Sequence, residues 1–211
     1  MVDLIPEETK EYRTREYWNW RYQQTGEGEK YDWLLNTSKV LPIIDKALAG
    51  YGKDTKVLNL GCGNSSLPFD LYDRFPNMHS IDFSEIVIDN MQKMSEKEHP
   101  LLKWTVADMR ELLSHFEGES FDVVIDKGSL DAVWSDGCSQ WTPSDEVVED
   151  VRAVIDGILG VLKPGGLFLS ISFGQPHFRV KWISRPEQAD LSHEQVGPIY
   201  FAYYMWKLKK E

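Results

Sequence analysis

The chain has 211 residues, a length that suits one domain and allows about 70% of its unfolded surface to be buried without disulfides or metal ions. Its formal net charge of −11 argues against a nucleic-acid partner, because such partners are bound by basic stripes, and favours a basic or lysine-bearing one. No apolar run approaches the roughly 18 residues of a membrane span, so we expect no membrane partner.

The two cysteines indicate the compartment. Cys62 lies in a glycine turn and Cys138 in a polar stretch, so we expect no disulfide between them, and no metal-ligand spacing is present. Reduced thiols are typical of the cytosol. The sequence therefore predicts a cytoplasmic protein without a metal site, and we expect it to be a monomer.

Two helices are predicted before the first strand. Thr14–Gln24 carries aromatic side chains on one face, at Tyr17, Trp18 and Tyr22, and two glycines follow it. Ser38–Leu48 repeats apolar residues at helical spacing and is also followed by glycines.

A glycine turn follows the first predicted strand. The apolar run Val57–Leu60 stops at Gly61 and Gly63, and Asp82 ends a second apolar run about 20 residues later. Glycine suits a sharp turn against which a ligand lies, and the Asp82 carboxylate could accept both hydroxyls of a ribose. This pattern predicts a βαβ unit that binds an adenosine-containing ligand.

The glycine pattern favours a ligand without a pyrophosphate. A dinucleotide site usually has a third glycine three residues after the second, and Ser66 stands there. S-adenosylmethionine is the common ligand that has a ribose but no phosphate. A nicotinamide oxidoreductase, or a tight turn in another α/β protein, is the alternative.

Strands and helices alternate along most of the rest of the chain, and the last two predicted strands have no helix between them. Alternation predicts an α/β fold, a mainly parallel sheet with helices on both faces. The last two strands, with no helix between them, predict an antiparallel hairpin. The predicted elements are helix Leu67–Phe75, strand Met78–Asp82, helix Ser84–Lys97, strand Leu101–Ala107, strand Phe121–Asp126, helix Asp145–Leu162, strand Leu167–Phe173, and strands Arg179–Ser184 and Ile199–Lys207.

Five ordered motifs carry a narrower resemblance, over roughly residues 14–180. They are Tyr17-Trp18-Asn19-Trp20-Arg21-Tyr22, Tyr31-Asp32-Trp33, Leu60-Gly61-Cys62-Gly63-Asn64-Ser65, Asp126-Lys127-Gly128-Ser129-Leu130-Asp131 and Pro176-His177-Phe178-Arg179. The chain resembles the elongation factor 1-alpha lysine methyltransferase 4 family, which is related to the N-terminal domain of methyltransferase-like protein 13.

The resemblance implies a Rossmann-like class I methyltransferase with a seven-stranded sheet of order 3-2-1-4-5-7-6. Residues 1–211 would form one domain, with an N-terminal helical segment (1–52), a cofactor-binding core (53–173) and a C-terminal β-hairpin (174–211). The cofactor would be S-adenosylmethionine, and the partner a protein substrate, elongation factor 1-alpha.

The resemblance also implies the cofactor-binding residues. Three aromatic residues would enclose the methionine end, where cation–π attraction of about 0.5–2 kcal/mol can shelter a sulfonium. The glycine turn would contribute backbone, and residues at the ends of strands 2, 3 and 4 would hold the ribose and adenine or border them. In chain order the residues are Trp18, Tyr22, Trp33, Gly61, Gly63, Asp82, Phe83, Asp108, Met109 and Lys127.

Several of these residues also have purely structural interpretations. Trp18 and Tyr22 could pin an N-terminal helix to the core, and the same holds for Trp33. Asp108 could cap the turn that follows it, and Lys127 could be a surface lysine at a strand end.

Two carboxylates at the end of the fourth strand are candidate catalytic residues. Asp126 and Asp131 lie where such sheets place the substrate, and a carboxylate there could orient an incoming ammonium. Asp131 could instead cap a helix, and His177 and Arg179 could be structural. No Asn-Pro-Pro-Tyr-type motif follows this strand, which disfavours DNA adenine or glutamine methylation. A small-molecule or protein N-terminal methyltransferase, or a non-catalytic cofactor-binding module, stays open.

Overall fold

The computed structural model describes residues 4–26, 28–137, 141–197 and 202–211. Two 3₁₀ turns, Thr9–Arg13 and Met109–Glu111, accompany the helices and strands. The helices are α1 (Arg15–Gln24), α2 (Thr37–Ala47), α3 (Leu67–Asp70), α4 (Glu85–Ser95), α5 (Leu112–His115), α6 (Ser129–Val133), α7 (Asp145–Val161) and α8 (Pro176–Ile183). The strands are β1 (Val57–Leu60), β2 (Met78–Asp82), β3 (Lys103–Val106), β4 (Phe121–Lys127), β5 (Leu162–Ser172), β6 (Ala189–Val196) and β7 (Tyr203–Lys210).

The seven strands form one sheet of order β3-β2-β1-β4-β5-β7-β6. Neighbours from β3 to β5 are parallel, and β7 is antiparallel to both β5 and β6. This confirms the predicted fold class and strand order. The order reverses between β1 and β4, and ligands bind at such a switch point in open α/β sheets.

The central strands β1 and β4 alternate their side chains between two apolar layers. Leu58 and Val124 pack with helices α5 to α8 on one face of the sheet. Val57 and Val123 pack with helices α2 to α4 on the other face. Both faces of the sheet are therefore covered at these strands, which is why three of the four residues of β1 are apolar.

The prediction of a strand over Arg179–Ser184 is wrong, because these residues lie in helix α8 and the turn that ends it. Pro176 occupies the first turn of α8, where its missing N–H costs nothing. Arg179 and Ile183, four residues apart, form its buried face. The first strand of the terminal hairpin is β6, so the C-terminal segment contains a helix before the hairpin.

Several boundaries also differ from prediction, two of them by five residues. Helix α3 ends at Asp70 rather than at Phe75, and β5 begins at Leu162 rather than at Leu167. The first residue of β5 already pairs with Phe121. The predictions for Cys138 and for residues 199–201 of the last strand lie outside the described residues. In the part of the chain that is described, no helix has both the length and the apolar character to cross a bilayer.

Candidate methyl-donor site

A cavity of about 370 Å³ opens at the carboxyl ends of β1, β2 and β4, beside the switch point. Its volume is that of a small-molecule site. All ten residues predicted to bind the cofactor line it, together with Asp131; Asp126 does not.

The glycine turn forms the floor of the cavity. Gly61 and Gly63 have φ values of +50° and +49°, which other residues rarely adopt. A Cβ at Gly61 would collide with the side chain of Ser129, and one at Gly63 would lie 2.8 Å from the Tyr22 hydroxyl oxygen. From the sequence alone, a ligand that lies against the turn accounts for these glycines. The side chains of Ser129 and Tyr22 also leave no room for a Cβ here.

Asp82 is the last residue of β2, and its side chain lines the cavity. The amide of Gly63 donates to Oδ2 over 3.0 Å, and the amide of Ser84 donates to Oδ1 over 2.9 Å. Burial raises the pKa of Asp82 to about 6, although these backbone hydrogen bonds oppose the rise. Each oxygen keeps a lone pair that can accept a ribose hydroxyl.

Asp108 and Met109 border the cavity after β3. Asp108 caps the turn Met109–Glu111 by accepting from the Arg110 amide over 2.9 Å, so its capping interpretation is confirmed. Burial raises the pKa of Asp108, but its ion pair with the Arg110 guanidinium, 2.6 Å away, outweighs this and leaves the pKa below its usual value. The carboxylate is therefore held as an anion.

A chain of ion pairs continues from Arg110 to the N-terminal turn Thr9–Arg13. Asp150 on α7 accepts from Arg110 over 3.0 Å and from Arg13 over 2.9 Å, both at Oδ2. Arg13 also pairs with Glu146. The N-terminal turn is thereby held against the cavity, to which Thr9, Tyr12 and Arg13 contribute lining.

Aromatic rings form the other end of the cavity. Trp18 stacks on Tyr22 with ring centroids 5.7 Å apart, and Trp33 meets Trp18 edge-on at 5.9 Å. Tyr12 meets Trp33 edge-on at 6.0 Å. Tyr22 is also buried in the core on the α2 side of the sheet, so it both packs the fold and lines the site.

Lys127 is not a surface lysine. Its side chain is only 6% exposed, and its Nζ donates to the backbone oxygen of Trp33 over 3.0 Å. It also pairs with Asp32 at 3.1 Å. Burial lowers the pKa of Lys127, and Asp32 opposes that change.

Asp126 points away from the cavity and into the sheet. Its Oδ1 accepts from the amides of Ser129 and Leu130 at 2.9 and 3.0 Å, and its Oδ2 accepts from Ser170 Oγ at 2.6 Å. Burial raises the pKa of Asp126 to about 6. These contacts hold the start of α6 against β4 and β5, which is a structural arrangement.

Asp131 lines the cavity but is also tied to β5 and α8. It accepts from Ser172 Oγ at 2.6 Å and from the Phe173 amide at 3.2 Å, and Arg179 lies 3.6 Å away. Burial raises the pKa of Asp131, and Arg179 opposes this. Arg179 in turn lies 4.1 Å from the centroid of Trp134. The structure therefore brings Asp131 to the site and buries Arg179 behind it.

Sequence reasoning missed several lining residues, among them Tyr12, Arg13, Arg110, Ser129 and Phe173. Little local signal marks the first two, because the N-terminal turn has Glu8 at its N-cap, a residue type that is not favoured there. His177, by contrast, lies exposed on α8 with its ring 3.9 Å from that of Phe178, and does not line the cavity.

Comparison with known proteins assigns the family. Residues 52–197 match the family model described as a methyltransferase domain. EEF1A lysine methyltransferase 4 of Mus musculus is 35% identical over 178 residues, which cover 84% of this chain and 68% of the mouse protein. The Bos taurus protein of that name is 33% identical over 214 residues, which cover 100% of this chain and 81% of the bovine protein.

The chain belongs to the EEF1A lysine methyltransferase 4 family. Its cofactor is S-adenosylmethionine. Among solved structures, the N-methyltransferase NodS from Bradyrhizobium japonicum in complex with S-adenosyl-L-homocysteine has the same fold, with a TM-score of 0.64 and 14% identity over 91% of this chain and 96% of NodS.

The residues present fit this cofactor. Asp82 offers a carboxylate for ribose hydroxyls, Phe83 and Met109 offer apolar surface for an adenine, and the rings of Trp18 and Trp33 can shelter a cation. In the described residues, no group of three or more histidine, cysteine, aspartate or glutamate side chains is placed to hold a metal ion.

Proposed function

We propose that the chain transfers a methyl group from S-adenosylmethionine to the Nζ atom of a protein lysine, with elongation factor 1-alpha as the substrate. The family membership carries the proposal: both relatives named above are EEF1A lysine methyltransferases and match at least 84% of this chain. The formal net charge of −11 also suits a basic acceptor. We further propose that the protein acts in the cytoplasm as a monomer.

The cavity has the Asp82 carboxylate at one end and the rings of Trp18 and Trp33 at the other, and both ends suit the donor of a methyl transfer. The cofactor supplies an activated methyl group on a sulfonium. Methyl transfer by direct displacement needs alignment and a neutral amine. Neutralising a lysine with an ordinary pKa near 10.4 costs about 4.6 kcal/mol at pH 7. Burial of the acceptor amine beside a cation lowers its pKa and so favours the neutral form that attacks.

Of the two candidate carboxylates, Asp131 is better placed to meet an incoming ammonium. It lines the cavity, whereas the hydrogen bonds of Asp126 go to α6 and β5. We propose that Asp126 positions the start of α6, and with it Asp131. Asp131→Asn should then lower kcat/KM with little change in cofactor affinity. Unchanged turnover in both Asp126→Asn and Asp131→Asn would refute any part for these carboxylates in transfer.

A second acceptor has support from relatives that are named for two activities. The Bos taurus protein named eEF1A lysine and N-terminal methyltransferase is 30% identical over 205 residues, which cover 92% of this chain but only 28% of that protein. An N-terminal amine is therefore the alternative acceptor. Like lysine, it must lose a proton before attack.

The test is transfer of radiolabelled methyl groups from S-adenosylmethionine to purified elongation factor 1-alpha and to a cytosolic extract. Asp82→Ala serves as the control that removes the ribose acceptor. We expect one labelled protein, with the label on a lysine when the digest is analysed by mass spectrometry. Label on the N-terminal amine would favour the second acceptor. No labelled protein, with cofactor binding intact, would overturn both.

A further inference from the structure

The segment that carries Trp33 is fastened to the glycine turn. This segment, residues 29–35, is called the tryptophan loop below. The amide of Tyr31 donates to the backbone oxygen of Asn64 over 3.1 Å, and the Asn64 side-chain amide donates to the backbone oxygen of Glu29 over 3.0 Å. Trp33 therefore takes its place in the cavity wall through a loop that is hydrogen-bonded along its length.

Asp32 is the acceptor at the centre of this loop. Its Oδ1 lies 2.5 Å from Ser65 Oγ and 3.1 Å from Lys127 Nζ. Its Oδ2 accepts from Thr37 Oγ at 3.3 Å and from Ser66 Oγ at 3.4 Å. One carboxylate thus joins the tryptophan loop, the glycine turn, helix α2 and strand β4.

Two cations border Trp33. The Lys127 ammonium bonds to its backbone oxygen, and the Arg21 guanidinium lies 4.9 Å from its ring centroid. Both side chains belong to buried or nearly buried residues, where charges interact more strongly than in water. The aromatic end of the cavity would therefore repel a cationic ligand if nothing balanced these charges.

We propose that Asp32 is a charge-balancing and positioning residue that lets the aromatic end of the cavity accept a sulfonium cation. By pairing with Lys127 it cancels one of the two positive charges next to Trp33. Methyl transfer converts the cationic S-adenosylmethionine into the neutral S-adenosylhomocysteine, so this balance affects the relative affinity for donor and product. The proposal concerns the donor alone and is independent of which amine accepts the methyl group.

The test compares Asp32→Asn, Lys127→Met and the double variant. Calorimetry measures the affinity of each for S-adenosylmethionine and for S-adenosylhomocysteine. Asp32→Asn keeps the shape but leaves the Lys127 charge unbalanced, so donor affinity should fall on the order of tenfold more than product affinity. Lys127→Met should shift the donor-to-product affinity ratio in the opposite direction. The double variant, with neither charge, should return the ratio to within about threefold of the starting protein.

A matched control comes from an exposed ion pair. Asp89 accepts from Lys93 over 2.6 Å on the surface of α4, and Asp89→Asn should leave the affinity ratio unchanged. If Asp32→Asn lowers both affinities by the same factor, or if both single variants move the ratio in one direction, Asp32 is only a loop anchor and the proposal fails. Should Asp32→Asn not fold, an unchanged ratio in Lys127→Met alone would overturn it.

Discussion

The indole Nε1 of Trp18 donates to the backbone oxygen of Tyr12 over 2.7 Å, so the N-terminal turn orients the ring that stacks on Tyr22. The same turn is held to α7 through Arg13. The orientation of Trp18 therefore depends on a segment that precedes α1 in the chain. Trp18 lines the cavity and also packs against the core on the α2 side of the sheet.

Trp18→Ala should weaken S-adenosylmethionine binding about tenfold, because the cation loses a ring worth about 0.5–2 kcal/mol. Because Trp18 also packs against the core, the melting temperature should fall too, by about 2–4 °C for each kcal/mol of packing that is lost. Isothermal calorimetry and thermal unfolding measure the two effects. Trp20→Ala, at a ring that is 39% exposed on the same helix, is the control and should leave binding unchanged. A large fall in melting temperature with unaltered affinity would show that Trp18 only packs α1.

Cofactor binding should depend on the ionisation of Asp82. Because the pKa of Asp82 is raised to about 6, lowering the pH below 6 protonates the carboxylate that would accept the ribose hydroxyls. The dissociation constant for S-adenosylhomocysteine should be constant above pH 7 and rise by up to about tenfold per pH unit below 6. Titration calorimetry from pH 5 to pH 8 measures it. Asp82→Asn should bind weakly with a flat pH profile, and a sloping profile in that variant would refute the assignment.

Asp126 should make the fold more stable at mildly acidic pH. Its pKa is about 6 in the folded protein and near 3.9 when unfolded, so its protonated form favours folding. That contribution is complete below about pH 4 and is lost as the pH rises through 6. Urea unfolding at pH 5, 6 and 7 should show a steeper loss of stability with rising pH in the wild type than in Asp126→Asn.

Asp122 provides the contrast for that experiment. Burial raises its pKa, but the hydrogen bond from Lys163 and other contacts outweigh burial and leave the pKa below the usual value. Its contribution is therefore present above the unfolded pKa and lost only as the pH falls below about 4. Asp122→Asn should leave the slope between pH 5 and pH 7 unchanged. Equal slopes in all three proteins would mean that Asp126 ionises normally.

Gly61→Ala should both destabilise the fold and disrupt the site. A positive φ and a collision with Ser129 oppose any Cβ at this position, at a cost of about 1–3 kcal/mol. Denaturant unfolding and cofactor titration measure the effects. Gly52→Ala is the matched control, since a Cβ there meets no atom within 4 Å. Similar stabilities for the two variants would contradict the packing argument.

Elements with a strong local signal could be predicted from the sequence. The glycine turn and Asp82 sit at fixed spacing along one βαβ unit, so their meeting at the cavity follows from the order of strands. Helix α8 could not be predicted in the same way. Phe178, Val180 and Trp182 alternate with polar residues as a strand would, and only packing of the face formed by Arg179 and Ile183 decides for a helix.

Contacts between residues far apart in the chain could not be predicted, because they leave no pattern in the local sequence. The ion pair of Arg13 with Asp150 joins residues 137 positions apart, and the bond from Lys127 to Trp33 joins residues 94 apart. Periodicity describes one element at a time, so it cannot indicate which loop covers which strand end. For the same reason, the role of Asp126 as an anchor for α6 depends on Ser170, which lies 44 residues further on.

Asp150 accepts from two arginines, Arg13 on the N-terminal turn and Arg110 after β3, and these two contacts can be broken independently. If the N-terminal turn lifts, Arg13 leaves Asp150, while Arg110 keeps its bonds to both Asp150 and Asp108. Asp108 and Arg110 at the cavity wall are therefore held by bonds that do not involve the N-terminal turn. Loss of the Arg13 contact would therefore remove one cation from Asp150 and still leave the Asp108 carboxylate paired with Arg110.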